Sequence, residues 1–209
     1  MSVADIVNDY GITEILHFTT NHGLVGILDS GAVKSRATLP TEKSLEHVYS
    51  PNCRYRKDTA HLDYVNLSIT AINLRLFGIS SEKWHADEEI WWAILVFDPV
   101  ILSHDGVLFA TTNNMYTGVR RAEGREGLEA LFAERITRWA GSVVVRPQNH
   151  PRDQTTCPQA EVLYPNELPI EHLRRIYVRN DENAAMVEAQ LELLHVEGIE
   201  VVVDASVFG

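Results

Sequence analysis

The sequence predicts a mixed α+β fold in one domain spanning residues 1–209, and three observations carry that prediction. Short apolar or alternating runs of strand type are interleaved with modest helical patterns, so strands distant in sequence must pair. Neither G-x-G-x-x-G nor G-x-x-x-x-G-K-[ST] occurs, which removes the Rossmann and P-loop forms of nucleotide site. Two apolar, strand-like runs near the poles, ILHFTT (15–20) and CPQAEVLYP (157–165), carry His17 and Glu161.

The elements follow in order. Residues 15–19 read as a strand. HGLVGILDSG (22–31) reads as a helix, with Leu24, Ile27 and Leu28 on one face and Gly31 at its stop. Residues 34–62 have no period and form a long loop, a length often tied to function. DYVNLSI (63–69) sets Val65, Leu67 and Ile69 against Tyr64 and Asn66 and reads as a strand. EIWWAILVF (89–97) is a buried strand ended by Asp98-Pro99, and Trp84, Trp91 and Trp92 read as core residues. GVLFA (106–110) is a shorter strand. Residues 125–139 read as a helix through Leu128, Leu131, Phe132, Ile136 and Trp139. QAEVLY (159–164) and RRIYV (174–178) are late strands. A helix over roughly 182–196, with Ala184, Val187, Leu191 and Leu194 on one side, precedes a last strand, EVVVD (200–204).

Composition limits the function classes. At 209 residues and 45% hydrophobic content, the chain has ample material for a core. No apolar run approaches membrane-spanning length, and MSVADIVNDY carries acids where a secretory signal carries basic residues, so a cytoplasmic protein is expected. Cys53 and Cys157 form neither a disulfide framework nor a zinc pattern and read as free thiols. The formal charge of −11 argues against wholesale binding of nucleic acid, which needs Lys and Arg to neutralise phosphates. A local exception is residues 34–57, where Lys34, Arg36, Lys43, Arg54, Arg56 and Lys57 face only Glu42 and Glu46.

Several polar residues are candidates for chemistry, although each has an ordinary structural explanation when taken alone. Gln159 and Glu161 are two apart, so on a strand they share a face. His17 is a lone histidine on a half-buried strand, and Ser68 is a strand serine. The remaining histidines are scattered, with no H-E-x-x-H or C-x-x-C, and metal catalysis is unsupported.

Taken together, LHFTTNHGLVGILDSG, DYVNLSI, VLFATTNN and CPQAEVLYP resemble the DarT family of DNA ADP-ribosyltransferase toxins, in order and spacing, over about residues 14–178. The combination H-x-T-x-x-x-x-L-x-G-I-L with a much later Q-A-E carries the likeness. The resemblance implies an ADP-ribosyltransferase fold of mixed, mainly antiparallel sheets with short flanking helices. It implies NAD as co-substrate, no metal, a base in single-stranded DNA as acceptor, and a cognate ADP-ribosyl-hydrolase antitoxin, a macrodomain or similar. Breaking the nicotinamide–ribose bond passes through an oxocarbenium-like state, which a carboxylate stabilises. By resemblance Glu161, His17 and Arg54 are the catalytic group. His17, Thr19, Gly26, Ser68 and Arg56 bind NAD, and Gln159, Arg54 and Asn113 meet the acceptor. The run Tyr64-Val65-Asn66-Leu67-Ser68-Ile69 departs from the aromatic-rich strand of thymine-modifying members and leans toward guanine. Alternatives are the same transfer to RNA or protein, an RNA 2′-phosphotransferase, or a non-catalytic NAD-binding or interaction domain of this fold.

Overall fold

The computed structural model describes residues 2–39, 61–85 and 89–209. Helix α1 (Val3–Tyr10) starts on a reciprocal cap between Ser2 and Asp5 and closes on Gly11 at φ 71°. Strand β1 (Ile15–Thr20) runs into α2 (Asn21–Ser30), where Thr20 Oγ1 accepts the Gly23 N–H at 3.2 Å and Gly31 at φ 72° ends the helix. Strands β2 (Ala32–Lys34) and β3 (Tyr64–Ile69) follow, then α3 (Leu74–Ile79), capped by Asn73 and continued by a π-helical turn, Ser80–Trp84. The rest of the chain gives β4 (Trp92–Phe97), β5 (Leu108–Ala110), β6 (Arg121–Glu123), α4 (Gly124–Ala130), β7 (Arg135–Trp139) and β8 (Ser142–Val145). Last come β9 (Glu161–Pro165), β10 (Glu167–Pro169), β11 (Leu173–Val178), α5 (Asp181–Leu193) and β12 (Glu200–Val203).

Eight strands pair in the order β12-β11-β4-β1-β3-β9-β5-β6, with β10-β2 and β7-β8 as separate two-stranded ladders. Among the described residues every pairing is antiparallel except β11 with β12, which are joined through α5. The main core holds Ile15, Leu24, Leu67, Phe97, Phe109 and Leu128, all nearly inaccessible. A smaller cluster on Leu16, Phe77, Trp92, Ile94 and Phe208 covers the opposite face, with Phe77 edge-on to Trp92 at 5.3 Å.

One irregularity in the sheet positions everything that follows. Strand β1 pairs with β4 at all six of its residues, from Ile15↔Phe97 to Thr20↔Trp92. Its other edge pairs with β3 only at Ile15↔Ile69 and Leu16↔Ser68. Beyond Leu16 the two strands part, and β3 continues in register with β9 from Leu67↔Val162 to Tyr64↔Pro165. A sheet that splits between neighbouring strands exposes backbone groups that need new partners.

Three expectations need correction. The helix over 125–139 stops at Ala130, and residues 135–139 are strand β7. Leu128, Leu131, Phe132 and Ile136 are all buried, so their spacing mimics a helical stripe. The β-branched residues after Gly141, itself at φ 77°, instead fold back as a hairpin. Gln159 does not share a strand with Glu161, because β9 begins at Glu161 and Gln159 lies in the preceding turn. Trp92 is core, but Trp84 is half-buried at the rim of a cleft.

Candidate active site

The divergence of β1 from β3 opens a cleft lined by both strands, the end of β2 and the residues after it, the α3 segment and Glu161. His17 and Thr19 reach it from β1, Ser68 from β3 and Glu161 from the first position of β9. Past Leu16 the ladder is broken, and the His17 side chain bridges the gap: its Nδ1 lies 3.0 Å from the Asn66 carbonyl oxygen. A carbonyl only accepts, so Nδ1 carries the proton and donates. In the neutral ring Nε2 is then the accepting nitrogen, and the tautomer is set by the split in the sheet.

Glu161 is only 5% exposed. A buried carboxylate must be hydrogen-bonded to remain charged at low cost. The Asn114 backbone N–H donates to its Oε2 at 3.0 Å, and Asn113 Nδ2 donates to its Oε1 at 3.5 Å. The register Ala110↔Glu161 brings these donors into place, because it sets the carboxylate beside the chain leaving β5. Asn114 is itself fixed. Arg121 on β6 donates through Nε to the Asn114 side-chain oxygen and through Nη2 to its backbone carbonyl at 2.6 Å. Asn114 Nδ2 also meets His61 Nδ1 at 3.4 Å. Gln159 is 6% exposed, and its Oε1 accepts from the Tyr116 hydroxyl at 3.2 Å.

The cleft also holds Lys34 and Arg36 from the β2 segment, two cations in the same space as one carboxylate. Tyr64 lines it with a phenol pushed up by burial and, secondarily, by the charges of Asp63 and Glu123. No group of three or more potential metal ligands occurs among the described residues.

Thus His17, Thr19, Ser68 and Glu161, predicted from sequence, converge on one cleft. Asn113 touches Glu161, but more weakly than the adjacent Asn114, whose role is a backbone one that no side-chain pattern signals. Gly26 is buried in α2, and its neighbour Ile27 lines the cleft. Gln159 bonds to Tyr116 rather than joining Glu161 on a strand face. Arg54 and Arg56, with Cys53, lie outside the described residues. Cys157 is a buried free thiol 3.2 Å from Thr112 Oγ1. Asn66, Asn114 and Tyr116 are the site residues that sequence reasoning missed. Asn114 sits in the singled-out ATTNN segment, and Asn66 meets His17 through its carbonyl.

Comparison with known proteins matches this architecture. The solved structure of Thermus sp. 2.9 DarT in complex with carba-NAD+ superposes with a TM-score of 0.64 at 16% identity, covering 94% of this chain and 98% of that one. The same protein in complex with ADP-ribosylated ssDNA gives 0.63 at 17% identity, covering 95% and 97%. Thermosipho africanus DarTG in complex with ADP-ribose gives 0.61 at 15% identity, covering 94% of this chain and 51% of that chain. No curated protein matches the sequence. The family model described as "ssDNA thymidine ADP-ribosyltransferase, DarT" matches residues 16–209. With the fold, the split sheet and a family match reaching from β1 to the last residue, the chain belongs to the DarT family of ssDNA ADP-ribosyltransferases.

Proposed function

We propose that this protein transfers ADP-ribose from NAD+ to a base in single-stranded DNA, as the toxin of a toxin–antitoxin pair, and that residues 1–209 act as one transferase domain. The observation that carries the reading is the buried Glu161 carboxylate, fixed by the Asn114 N–H in the same cleft as a His17 ring of defined tautomer. The cleft fits the dinucleotide chemically. Lys34 and Arg36 match the anionic pyrophosphate, and Glu161 matches the positive charge that develops on the ribose.

Each residue then has a task. His17 accepts a ribose hydroxyl through Nε2, and Thr19 and Ser68 hold the nicotinamide side. Gly26 lets α2 lie close to the cleft. Glu161 binds the ribose 2′-hydroxyl and stabilises charge at C1′ as the bond to nicotinamide breaks. A base nitrogen forms the new bond to C1′, and Glu161 takes the proton it sheds. Gln159, held through its oxygen by Tyr116, presents its amide N–H groups to the base edge, next to Asn113. Arg54 and Arg56 are assigned to the pyrophosphate and the acceptor strand.

The family description names thymidine, whereas Asn66 and Ser68 stand on β3 where thymine-modifying members carry aromatics, which favours guanine. A cognate ADP-ribosyl hydrolase reversing the modification is the expected antitoxin. No helix among the described residues is long and apolar enough to cross a membrane, consistent with action on DNA in the cytoplasm.

The test is incubation with NAD+ and four single-stranded oligonucleotides, each lacking one base, read by mass spectrometry. Gain of one ADP-ribose that vanishes only without guanine, or only without thymine, establishes reaction and acceptor together. Labelling of RNA or protein instead replaces the DNA assignment. Absence of both labelling and NAD+ binding leaves a non-catalytic domain of this fold.

A further inference from the structure

Asn73 carries a donor that the fold leaves unused. The residue caps α3: its Oδ1 accepts the Leu76 N–H at 3.1 Å, and its backbone carbonyl accepts the Phe77 N–H at 2.9 Å. Asn73 is 4% exposed, and its Nδ2 is buried with no hydrogen-bond partner among the described residues. A side-chain amide brings two N–H donors, and a buried group left unmet calls for an explanation. Asn73 also lines the cleft, together with Leu76, Ser80 and Trp84. These four follow at intervals of three, four and four residues, so they form one stripe along α3 and the π-helical turn that prolongs it. Single π-helical turns recur at functional sites.

The stripe lies on the same side of the sheet as the Glu161 carboxylate. Leu67 pairs with Val162, and both belong to the main core. The neighbouring residues, Ser68 on β3 and Glu161 on β9, therefore turn to the other face. Leu16, opposite Ser68, belongs to the smaller cluster on that face, as does Phe77 of α3. Lys34 and Arg36, matched to the pyrophosphate, enter the cleft from the end of β2 and the residues after it. In NAD+ the ribose that meets Glu161 carries phosphate at C5′ and nicotinamide at C1′. Phosphates held on the β2 side leave the α3 wall to the nicotinamide ring.

We propose that Asn73 holds the leaving nicotinamide, its Nδ2 donating to the carboxamide oxygen, with Leu76, Ser80 and Trp84 continuing the wall beside the ring. The proposal rests on the reading that NAD+ supplies the ADP-ribose. The stripe has the chemistry of a site for a flat aromatic amide: an N–H donor, an aliphatic side chain, a hydroxyl and an indole at the rim. The donor is set in advance, because the oxygen of the same amide is fixed by the helix cap. A ring held by its carboxamide keeps its bond to C1′ in place beside Glu161 while that bond breaks.

The experiment measures binding by calorimetry, without acceptor DNA, for wild type, Asn73→Ser and Asn73→Asp. The ligands are NAD+, ADP-ribose and 3-acetylpyridine adenine dinucleotide, which keeps the carbonyl and lacks the amide nitrogen. Both variants retain an oxygen for the Leu76 N–H, so the cap survives and the melt stays close to that of wild type. Kd for NAD+ and for the acetylpyridine analogue is expected to rise about 5- to 10-fold in Asn73→Ser, and further in Asn73→Asp, where a carboxylate meets the carbonyl oxygen. Kd for ADP-ribose, which has no ring, stays unchanged, and the Ki of free nicotinamide as a product inhibitor rises with that of the dinucleotides. Unchanged NAD+ affinity in both variants overturns the proposal. An equal loss for ADP-ribose also overturns it, because the residue then acts through the fold. A loss seen with NAD+ but not with the analogue refutes the carbonyl contact, and a defect confined to the oligonucleotide KM puts the amide on the acceptor base instead. Wild type that binds neither NAD+ nor ADP-ribose refutes the NAD+ reading itself, a different result from loss of the ring contact.

Discussion

Replacing Arg121 by Gln tests the argument that Glu161 is positioned through its neighbour. Arg121 does not line the cleft, yet it grips both oxygens of Asn114, and Asn114 in turn donates its N–H to Glu161 Oε2 at 3.0 Å. Hydrogen bonds from a charged group are worth about 1.5–3 kcal/mol each. Arg121 lies on the exposed edge strand β6, where solvent screens it, so about 1–2 kcal/mol of positioning for the pair is the reasonable figure. At about 1.4 kcal/mol per tenfold in rate, kcat for ADP-ribose transfer should fall roughly 5- to 30-fold. KM for NAD+ should move less than about 3-fold, because the interaction lost acts on the carboxylate and not on the bound substrate. Arg121→Lys keeps the charge but not the fork that holds two oxygens, and should fall between. Steady-state kinetics with a radiolabelled or mass-tagged NAD+ read both constants, and a thermal melt of each variant checks the fold. Full kcat in a folded Arg121→Gln protein would refute the reasoning, and so would a loss expressed wholly in KM.

Further outcomes follow from the same structure. Glu161→Gln should reduce transfer by about 100-fold or more with the melt little changed, since the amide NH2 meets an N–H donor where the carboxylate accepted. His17→Ala should weaken NAD+ binding at least about 10-fold by calorimetry, because it removes both the Nε2 acceptor and the bridge to Asn66; unchanged affinity counts against the site. Gly127→Ala should destabilise by about 1–3 kcal/mol, lowering the melting temperature by several degrees, since a Cβ there overlaps the Ala122 carbonyl and comes within 3.0 Å of the Phe109 ring. Burial first, and then His172, hold the His104 imidazole below its ordinary value, against the opposing pull of Glu171 and Asp105. Its Nδ1 is 2.8 Å from the Tyr164 hydroxyl, whose ionisation burial pushes up. The folded state then binds fewer protons than the unfolded one, so the stabilisation is present above the unfolded value of about 6.5 and lost as pH falls through the folded value. The melting temperature should drop between about pH 7.5 and about pH 5.5, and drop less in His104→Asn; identical slopes in both proteins count against this assignment.

The local elements were legible because their causes are local. Thr20 and Gly31 bracket α2, alternation sets the faces of β3, and a continuous apolar run marks β4. The order of strands was not legible, because β1 lies between β3 and β4, and pairing between segments tens of residues apart leaves no mark on either one. The hairpin was misread for a related reason: buried residues at helical spacing satisfy two periods, and the β-branched run after Gly141 decides between them.

The sequence by itself determined the family likeness and named His17, Thr19, Ser68 and Glu161, since each stands in a short run whose order along the chain carries the pattern. Only the tertiary structure decided how they meet. The two-residue pairing of β1 with β3 opens the cleft, and the Asn66 carbonyl beside that split sets the His17 tautomer. The register of β5 on β9 then delivers a backbone N–H to Glu161. Backbone donors and acceptors are the same at every residue, so which of them serves a site depends on register and strand divergence, and those exist only once distant segments have paired.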